Sequence, residues 1–259
     1  MIFDFKIKSS KDLCELIKAV LKYKPVQVNI SNTSKKDDLR GFVRSFTKFN
    51  SSTTSLCVHY SISNNYYGSY ELAVEKFFDF VQFVKLLAPT TKILLVSGGQ
   101  HKKLRTAKLL NIYQQKYGTQ KDFGVAYNPF EVDILSENRS LQQKLNSGLV
   151  SQIYFQLGDD LMKLQKGIKF VKNELNQRQL QDKVKLFGCV LYLNKINLLK
   201  MRFRPLRGVF YTKKFLNNLD NAKTVNNEII SLYKNNDIIP IWEFASLREA
   251  IKIWNNISN

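Results

Sequence analysis

Residues 56–96 contain the pattern that decides the fold: LCVHY (Leu56–Tyr60), then ELAVEKFFDFVQFVKLL (Glu71–Leu87), then KILLV (Lys92–Val96). The first and last stretches are short and almost wholly apolar, which is typical of buried strands. The middle stretch repeats apolar residues at helical spacing and therefore predicts an amphipathic helix. A strand, a helix and a second strand in this order indicate a βαβ unit of a parallel sheet.

The same alternation extends to both ends of the chain. Further strands are predicted at 2–6, 26–30, 124–127, 152–155, 186–191 and 240–244. Further helices are predicted at 12–22, 39–49, 102–117, 140–146, 161–175, 222–235 and 247–257. About eight strands without a Gly/Ser-rich linker favour a single-domain (β/α)8 TIM barrel over residues 1–259, in preference to an open sheet. In such a barrel, functional residues are expected at the carboxyl ends of the strands.

Composition narrows the classes of protein that remain. The chain has 259 residues, 44% of them hydrophobic, which excludes intrinsic disorder. Its longest apolar runs are strand-sized, so no transmembrane segment is expected. Cys14, Cys57 and Cys189 lie far apart and only two histidines are present, so no metal site is predicted. We expect the three cysteines to be buried free thiols in a reducing compartment.

Short motifs at the expected strand ends follow one another in a recognisable order. They are Phe3-Asp4-Phe5, Lys24-Pro25-Val26-Gln27-Val28, Cys57-Val58-His59, Leu94-Leu95-Val96-Ser97-Gly98-Gly99, Gly124-Val125-Ala126-Tyr127 with Pro129, Lys144-Leu145-Asn146-Ser147-Gly148, Ile153 to Asp159, and Phe244-Ala245-Ser246-Leu247. In this order the sequence resembles the catalytic barrel of the methylenetetrahydrofolate reductase family, which are flavin-dependent (β/α)8 enzymes. The resemblance covers nearly the whole chain and implies the same TIM barrel.

The resemblance also implies roles for four residues. Asp4 takes the place of the family's glutamate, the general acid of the folate reaction, while His59, Tyr127 and Lys144 match positions around the FAD cofactor. Each has a structural alternative. Asp4 would be a strand residue paired with a nearby lysine, and His59 a hydrogen-bonded core histidine. Tyr127 would be an aromatic cap on the barrel mouth, and Lys144 one of many surface lysines.

Several functional positions of the family are replaced in this chain. Ser97 and Gly99 replace an arginine and an aspartate, Phe155 falls where the family has its pterin-binding glutamine with Gln156 beside it, Asn128–Asp133 lacks the family's histidine, and Gly188–Leu191 replaces a Pro-Gly-Ile segment. These departures predict a catalytically degenerate barrel, a pseudoenzyme that holds no cofactor. FAD is expected only if the ancestral site persists.

A strong positive charge indicates the partners of such a barrel. The 40 Lys and Arg against 21 Asp and Glu leave +19. The predicted interaction patch consists of Lys195, Lys200, Arg202, Arg204, Arg207, Lys213 and Lys214, with a second group at Lys102, Lys103 and Arg105. Basic residues interleaved with aromatics suit RNA, anionic membrane or acidic protein. The alternative is a solvated lysine-rich face that reflects codon bias. No RNA-binding motif accompanies the patches.

Together these observations lead to one hypothesis and two alternatives. We expect an accessory subunit of a larger assembly, such as a mitochondrial respiratory or ribosomal complex, which binds other protein subunits. Failing a mitochondrial location, we expect a cytoplasmic one. The first alternative is an active reductase that uses FAD and NAD(P)H to reduce 5,10-methylenetetrahydrofolate, with Asp4 as its general acid. The second is a free-standing RNA-binding protein.

Overall fold

Strands and helices alternate along the chain in the computed structural model, as the sequence predicts. The structure describes residues 2–7, 9–49, 54–66, 68–97, 104–118, 123–203, 208–244, 247 and 249–251. The strands are β1 (Ile2–Lys6), β2 (Gln27–Ser31), β3 (Ser55–Ser61), β4 (Lys92–Val96), β5 (Phe123–Tyr127), β6 (Val150–Phe155), β7 (Lys185–Leu191) and β8 (Ile239–Glu243). The helices are α1 (Ser10–Tyr23), α2 (Leu39–Phe49), α3 (Tyr70–Leu87), α4 (Thr106–Tyr117), α5 (Ile134–Asn146), α6 (Leu161–Gln177), α7 (Lys195–Phe203), α8 (Lys213–Asn217) and α9 (Leu219–Lys234).

The eight strands form a closed barrel in the order β1 to β8, which confirms the predicted TIM-barrel fold. The pairs β1–β2, β2–β3, β3–β4, β5–β6 and β6–β7 are parallel. The residues group into two compact units, Met1–Leu109 with Glu243–Asn259, and Leu110–Trp242. That the whole chain is a single domain stays a prediction.

In the first unit, aromatic rings pack the helices onto one face of the strands. Tyr60 of β3 lies with its ring centroid 5.3 Å from that of Phe77 and 5.1 Å from that of Phe80, both in α3. Because side chains alternate along a strand, Cys57 and His59 lie on the opposite face of β3. Each fully buried aromatic ring of this kind contributes about 1.5–3 kcal/mol through the apolar surface it removes from water.

In the second unit, α9 packs closely against β7. Gly188 of β7 makes this possible, since a Cβ atom at that position would collide with the ring of Tyr233 in α9. Beyond β7, helices α7, α8 and α9 share a satellite apolar cluster of Leu157, Leu191, Leu193, Leu198, Met201, Phe215 and Ala222. This cluster orders the segment that contains part of the predicted basic patch.

The structure corrects the sequence analysis at several points. Helices α7 and α8 have no predicted counterpart, and α5 begins at Ile134, not at residue 140, because Asp133 caps it by accepting a hydrogen bond from the Ser136 N–H. Helix α4 begins at Thr106, not at Lys102. Cys14 is exposed, contrary to the expectation of a buried thiol.

Two further predictions concern the C-terminus and membranes. Positions 247 and 249–251 are helical, and the rest of the helix predicted at 247–257 lies outside the described residues. Within the part of the chain that the structure describes, no helix has both the length and the apolar character needed to cross a membrane.

Candidate functional site

A buried carboxyl and a buried imidazole meet on one face of β1, β2 and β3. Asp4 of β1 pairs in register with Asn29 of β2, and Asn29 pairs with Cys57 of β3, two residues before His59. The hydroxyl of Ser31 donates a hydrogen bond to Asp4 Oδ1. His59 Nε2 lies 3.2 Å from Asp4 Oδ2. The two side chains that the sequence analysis assigned to acid catalysis and to cofactor binding are therefore in contact.

Burial shifts both groups of this pair toward their neutral forms. It raises the pKa of Asp4 from 3.8 to about 7, against the opposing effects of the Ser31 hydrogen bond and the positive charge of Lys6. Burial also lowers the pKa of His59 from 6.5 to about 4, although the negative charge of Glu243 partly opposes this. At neutral pH His59 is therefore uncharged, and the contact with Asp4 is not an ion pair. Asp4 is close to half-protonated and so is able to donate or accept a proton.

Polar atoms on the same face lack partners of their own. Asn29 is fully buried, and its Oδ1 accepts a hydrogen bond of 2.7 Å from Gln27 Nε2. Among the described residues, neither Asn29 Nδ2 nor His59 Nε2 has a hydrogen-bond partner. The 3.2 Å approach of His59 to Asp4 therefore lacks the alignment that a hydrogen bond needs. Buried polar atoms without partners are uncommon and call for an explanation.

Asn32 joins the carboxyl ends of β2 and β3 just beyond this pair. Its Oδ1 accepts hydrogen bonds from the Ser61 N–H at 3.1 Å and from Asn65 Nδ2 at 2.8 Å. Its backbone carbonyl accepts a further hydrogen bond from Asn64 Nδ2 at 3.0 Å. These hydrogen bonds fix the loops that follow β2 and β3, two of the three strands that form the face with Asp4 and His59. Sequence analysis missed Asn29, Ser31 and Asn32, although Gln27, Asn29 and Ser31 are polar at alternate positions of one strand.

Tyr127 and Lys144 lie in the second unit, where their hydrogen bonds connect α5 to the end of β5. Both are almost completely buried, at 0% and 6% exposure. The Tyr127 hydroxyl donates to Asn138 Oδ1 at 2.8 Å, and burial raises its pKa. Lys144 Nζ donates to the Ala126 carbonyl at 2.9 Å and lies 3.9 Å from Glu137 Oε1. Burial lowers the pKa of Lys144 and raises that of Glu137.

These contacts contradict two of the structural alternatives, a surface position for Lys144 and an aromatic cap on the barrel mouth for Tyr127. Lys144 is not a surface lysine, because α5 holds it against the strand end. Tyr127 packs against the rings of Phe155 and Phe170, at centroid distances of 5.7 and 6.0 Å, so it lies between β5 and the surrounding helices. The polar ends of both side chains already have partners within the protein. Their predicted contacts with FAD stay a prediction.

The end of β6 holds a strap formed by residues 210–212. Phe155 lies between Tyr127 and the ring of Tyr233, whereas Gln156 follows the strand and uses its own Oε1 to accept from the Leu157 N–H. Asp159 accepts two hydrogen bonds of 3.0 Å from the Thr212 N–H and another from the Thr212 hydroxyl. Phe155, at the position where the resemblance implies a pterin-binding glutamine, therefore packs among aromatic rings. Asp159 holds the strap in place through Thr212.

The remaining predicted positions are Ser97, Gly99 and the basic patch. The Ser97 hydroxyl is 2.7 Å from that of Thr106, the first residue of α4. The exposed members of the basic patch are Lys195, Lys200 and Arg202 on α7, Lys213 and Lys214 on α8, and Arg105 before α4. Gly99, Lys102, Lys103, Arg204 and Arg207 lie outside the described residues. No cluster of three or more metal-ligating side chains occurs in the described ranges.

Comparison with known proteins places the fold but not the family. No protein-family model matches the chain, and no curated protein matches it. Among solved structures, the barrel is similar to an uncharacterized protein from Clostridium thermocellum that binds two copies of 5-methyl-5,6,7,8-tetrahydrofolic acid. The TM-score is 0.66 at 12% sequence identity, over 99% of this chain and 94% of that chain.

A second solved structure is a 4-hydroxy-2-oxoglutarate aldolase/2-deydro-3-deoxyphosphogluconate aldolase from TTHB1, at 13% identity and over 89% of this chain and 92% of that one. Its TM-score of 0.35 is too low to support an argument. At 12% identity, the first likeness establishes the fold alone. The chain therefore shares a (β/α)8 barrel with a protein that binds a reduced folate.

Proposed function

We propose that this chain is a reduced-folate-binding barrel that does not carry out flavin-dependent reduction and serves as an accessory subunit of a larger assembly. The observation that carries the proposal is the buried Asp4 carboxyl, with a pKa raised to about 7, beside His59 and the unpartnered Nδ2 of Asn29. The sequence resemblance supports it, since Asp4 takes the place of the family's general acid. The similar barrel from Clostridium thermocellum, which binds 5-methyltetrahydrofolate, also supports it.

The chemistry of Asp4 suits the pyrimidine edge of a pterin. That edge presents a ring N–H and an amino group side by side, and a carboxylate accepts two such donors at once. Pairing with those donors would favour the ionised form of Asp4 and so lower its pKa. Asn29 and His59 would supply further hydrogen bonds from the same strand face.

The residues expected around FAD support a barrel without flavin-dependent reduction. Tyr127 and Lys144 are bonded to Asn138, Ala126 and Glu137, so neither offers a polar atom to a cofactor. Phe155 stands where the family has its pterin-binding glutamine and packs against Tyr127. Tyr127 and Lys144 therefore do not fit the flavin contacts that the resemblance implies for them.

One observation favours the alternative of an active reductase. A general acid works best when its pKa lies near the operating pH, and Asp4 meets that condition. In that alternative Asp4 would be the general acid of the folate reaction, and the reducing chemistry would be supplied by FAD and NAD(P)H. This alternative is separated from the proposal by whether the protein carries a reducible flavin.

The test combines a spectrum with a binding measurement. We expect purified protein without a flavin band that binds 5-methyltetrahydrofolate in isothermal titration calorimetry. Asp4→Asn should weaken this binding about 10- to 100-fold, the effect of losing a charged hydrogen bond. Asp182→Asn, which removes an exposed carboxyl, is the matched control and should bind like the wild type.

Two results would overturn the proposal, each in a different part. A stoichiometric flavin that NAD(P)H bleaches would establish the reductase alternative. Failure to bind any reduced folate would contradict the proposed ligand. The accessory role is tested by native purification from mitochondria, where we expect other protein subunits to copurify. Recovery only as a homo-oligomer would contradict that role.

A further inference from the structure

Helix α7 carries apolar side chains on two opposite faces. Leu198 and Met201 are buried in the satellite cluster with α8 and α9. Ile196, Leu199 and Phe203 are 63%, 58% and 74% exposed. At 3.6 residues per turn, positions 196, 199 and 203 lie on one face, opposite the buried one. We call these three side chains the α7 stripe. Exposed apolar residues aligned in this way differ from the single exposed residues normal on a protein surface.

Basic residues border the α7 stripe on both sides. Helical spacing places Lys200 along one edge and Lys195 with Arg202 along the other, and all three are exposed. Helix α8 adds exposed Lys213 and Lys214. The sequence from residue 195 to residue 217 contains no Asp or Glu. The surface is therefore apolar along its centre and cationic at its edges.

We propose that the α7 stripe and its basic borders dock this protein on the surface of an anionic lipid bilayer. At a bilayer surface, negative headgroups lie beside an apolar layer, which matches a central apolar stripe with cations along its edges. Lys and Arg reach the headgroup level through their long stems while neighbouring apolar side chains enter the boundary. RNA offers phosphates to the cations but no apolar layer for Ile196 and Leu199. The match therefore favours lipid over nucleic acid.

The net charge of the chain strengthens the same interaction. A surplus of +19 attracts the protein to a negative surface before contact, and salt screens this attraction. Each basic residue near such a surface contributes about a fivefold increase in binding. This inference goes beyond the proposed function, because it concerns other residues than the Asp4 site and does not depend on folate binding.

The test is cosedimentation of the full chain with vesicles. We expect binding to vesicles of phosphatidylcholine with 30% phosphatidylserine, and little binding to phosphatidylcholine alone. Replacing Lys195, Lys200 and Arg202 together by Gln should weaken binding about 100-fold, since three contributions of about fivefold multiply. Replacing the α7 stripe by Ser should also weaken it, because the apolar contribution is lost.

Matched controls separate this site from general charge and hydrophobicity. Lys166, Lys169 and Lys172 of α6, replaced by Gln, remove the same charge elsewhere. Leu86, Val132 and Met162, which are also exposed, are replaced by Ser to match the stripe. Both controls should bind like the wild type, and circular dichroism checks that each variant is folded. Equal loss in the controls, equal binding to neutral vesicles, or no vesicle binding by the wild type would each overturn the proposal. The proposal would also be overturned if an acidic protein bound this chain and the anionic vesicles did not.

Discussion

Replacing either member of the Asp4–His59 pair should reveal a pH dependence of stability that the wild type conceals. In the folded protein Asp4 binds a proton that the unfolded chain releases between its ordinary pKa of 3.8 and the folded value of about 7. The free energy of unfolding therefore falls as pH rises through this window, by about 1.4 kcal/mol per pH unit. The full change is about 4 kcal/mol.

His59 acts with the opposite sign. Its pKa is lowered from 6.5 to about 4, so between these values the unfolded chain binds a proton that the folded protein does not. The free energy of unfolding therefore rises with pH through this window, by about 3 kcal/mol in all. Between pH 4 and 6.5 the two slopes cancel in the wild type. Burial is the main cause of both shifts, so each slope should persist when the other side chain is replaced.

The measurement is urea unfolding of wild type, Asp4→Asn and His59→Gln at several pH values between 4.5 and 7.5. Relative to wild type, the unfolding free energy of Asp4→Asn should rise with pH and that of His59→Gln should fall. Subtracting the wild type removes the titration of the other groups, and Asp182→Asn corrects for the loss of one carboxyl. Two flat difference curves, or two that slope in the same direction, would refute the description of the pair.

Three further substitutions test other contacts. Lys144→Met should lower the free energy of unfolding by about 1–3 kcal/mol, since it removes the hydrogen bond to the Ala126 carbonyl and the cation beside the half-buried Glu137 carboxyl, and adding Glu137→Gln should recover part of the loss in urea unfolding; no recovery would contradict the pairing. Asp159→Ala should speed amide exchange at Thr212, while unchanged exchange would mean that the strap is held elsewhere. Gly188→Ala should cost about 1–3 kcal/mol in thermal unfolding because its Cβ would meet a helix ring; a neutral effect would show that the helix shifts freely.

The sequence predicts correctly those elements whose apolar residues repeat with one clear period. Helix α3 was predicted from Glu71 to Leu87 and runs from Tyr70 to Leu87, because its apolar residues fall on a continuous face. Helix α7 was missed for the opposite reason. It is apolar on both faces, with Leu198 and Met201 inward and the α7 stripe outward, so its hydrophobic residues show no single period.

The site could be predicted only in part, because pairing depends on contacts between distant residues. The position of Asp4 followed from motif order, but its contact with His59 depends on the register of three strands. Lysine is usually a surface residue, but Lys144 is buried because the Ala126 carbonyl accepts a hydrogen bond from its Nζ and the Glu137 carboxyl lies 3.9 Å away. Asn29 carries the signal that was available, a polar residue alternating with apolar ones within a strand.

A barrel that serves only as a scaffold would gain stability from apolar side chains at these positions. A buried polar atom without a partner costs about 1–3 kcal/mol, and Asn29 Nδ2 and His59 Nε2 both lie on the face that holds the Asp4 carboxyl. A ligand that donates to Asp4 and accepts from Asn29 would offset these costs. Above pH 7 the buried Asp4 carboxyl is ionised, so Asp4→Asn should make the protein more stable while it weakens the proposed folate binding, the opposition expected where binding groups are kept at the expense of the fold. A purely structural Asp4 would leave folate binding unchanged, so the two measurements on one variant separate a binding site from a packing defect.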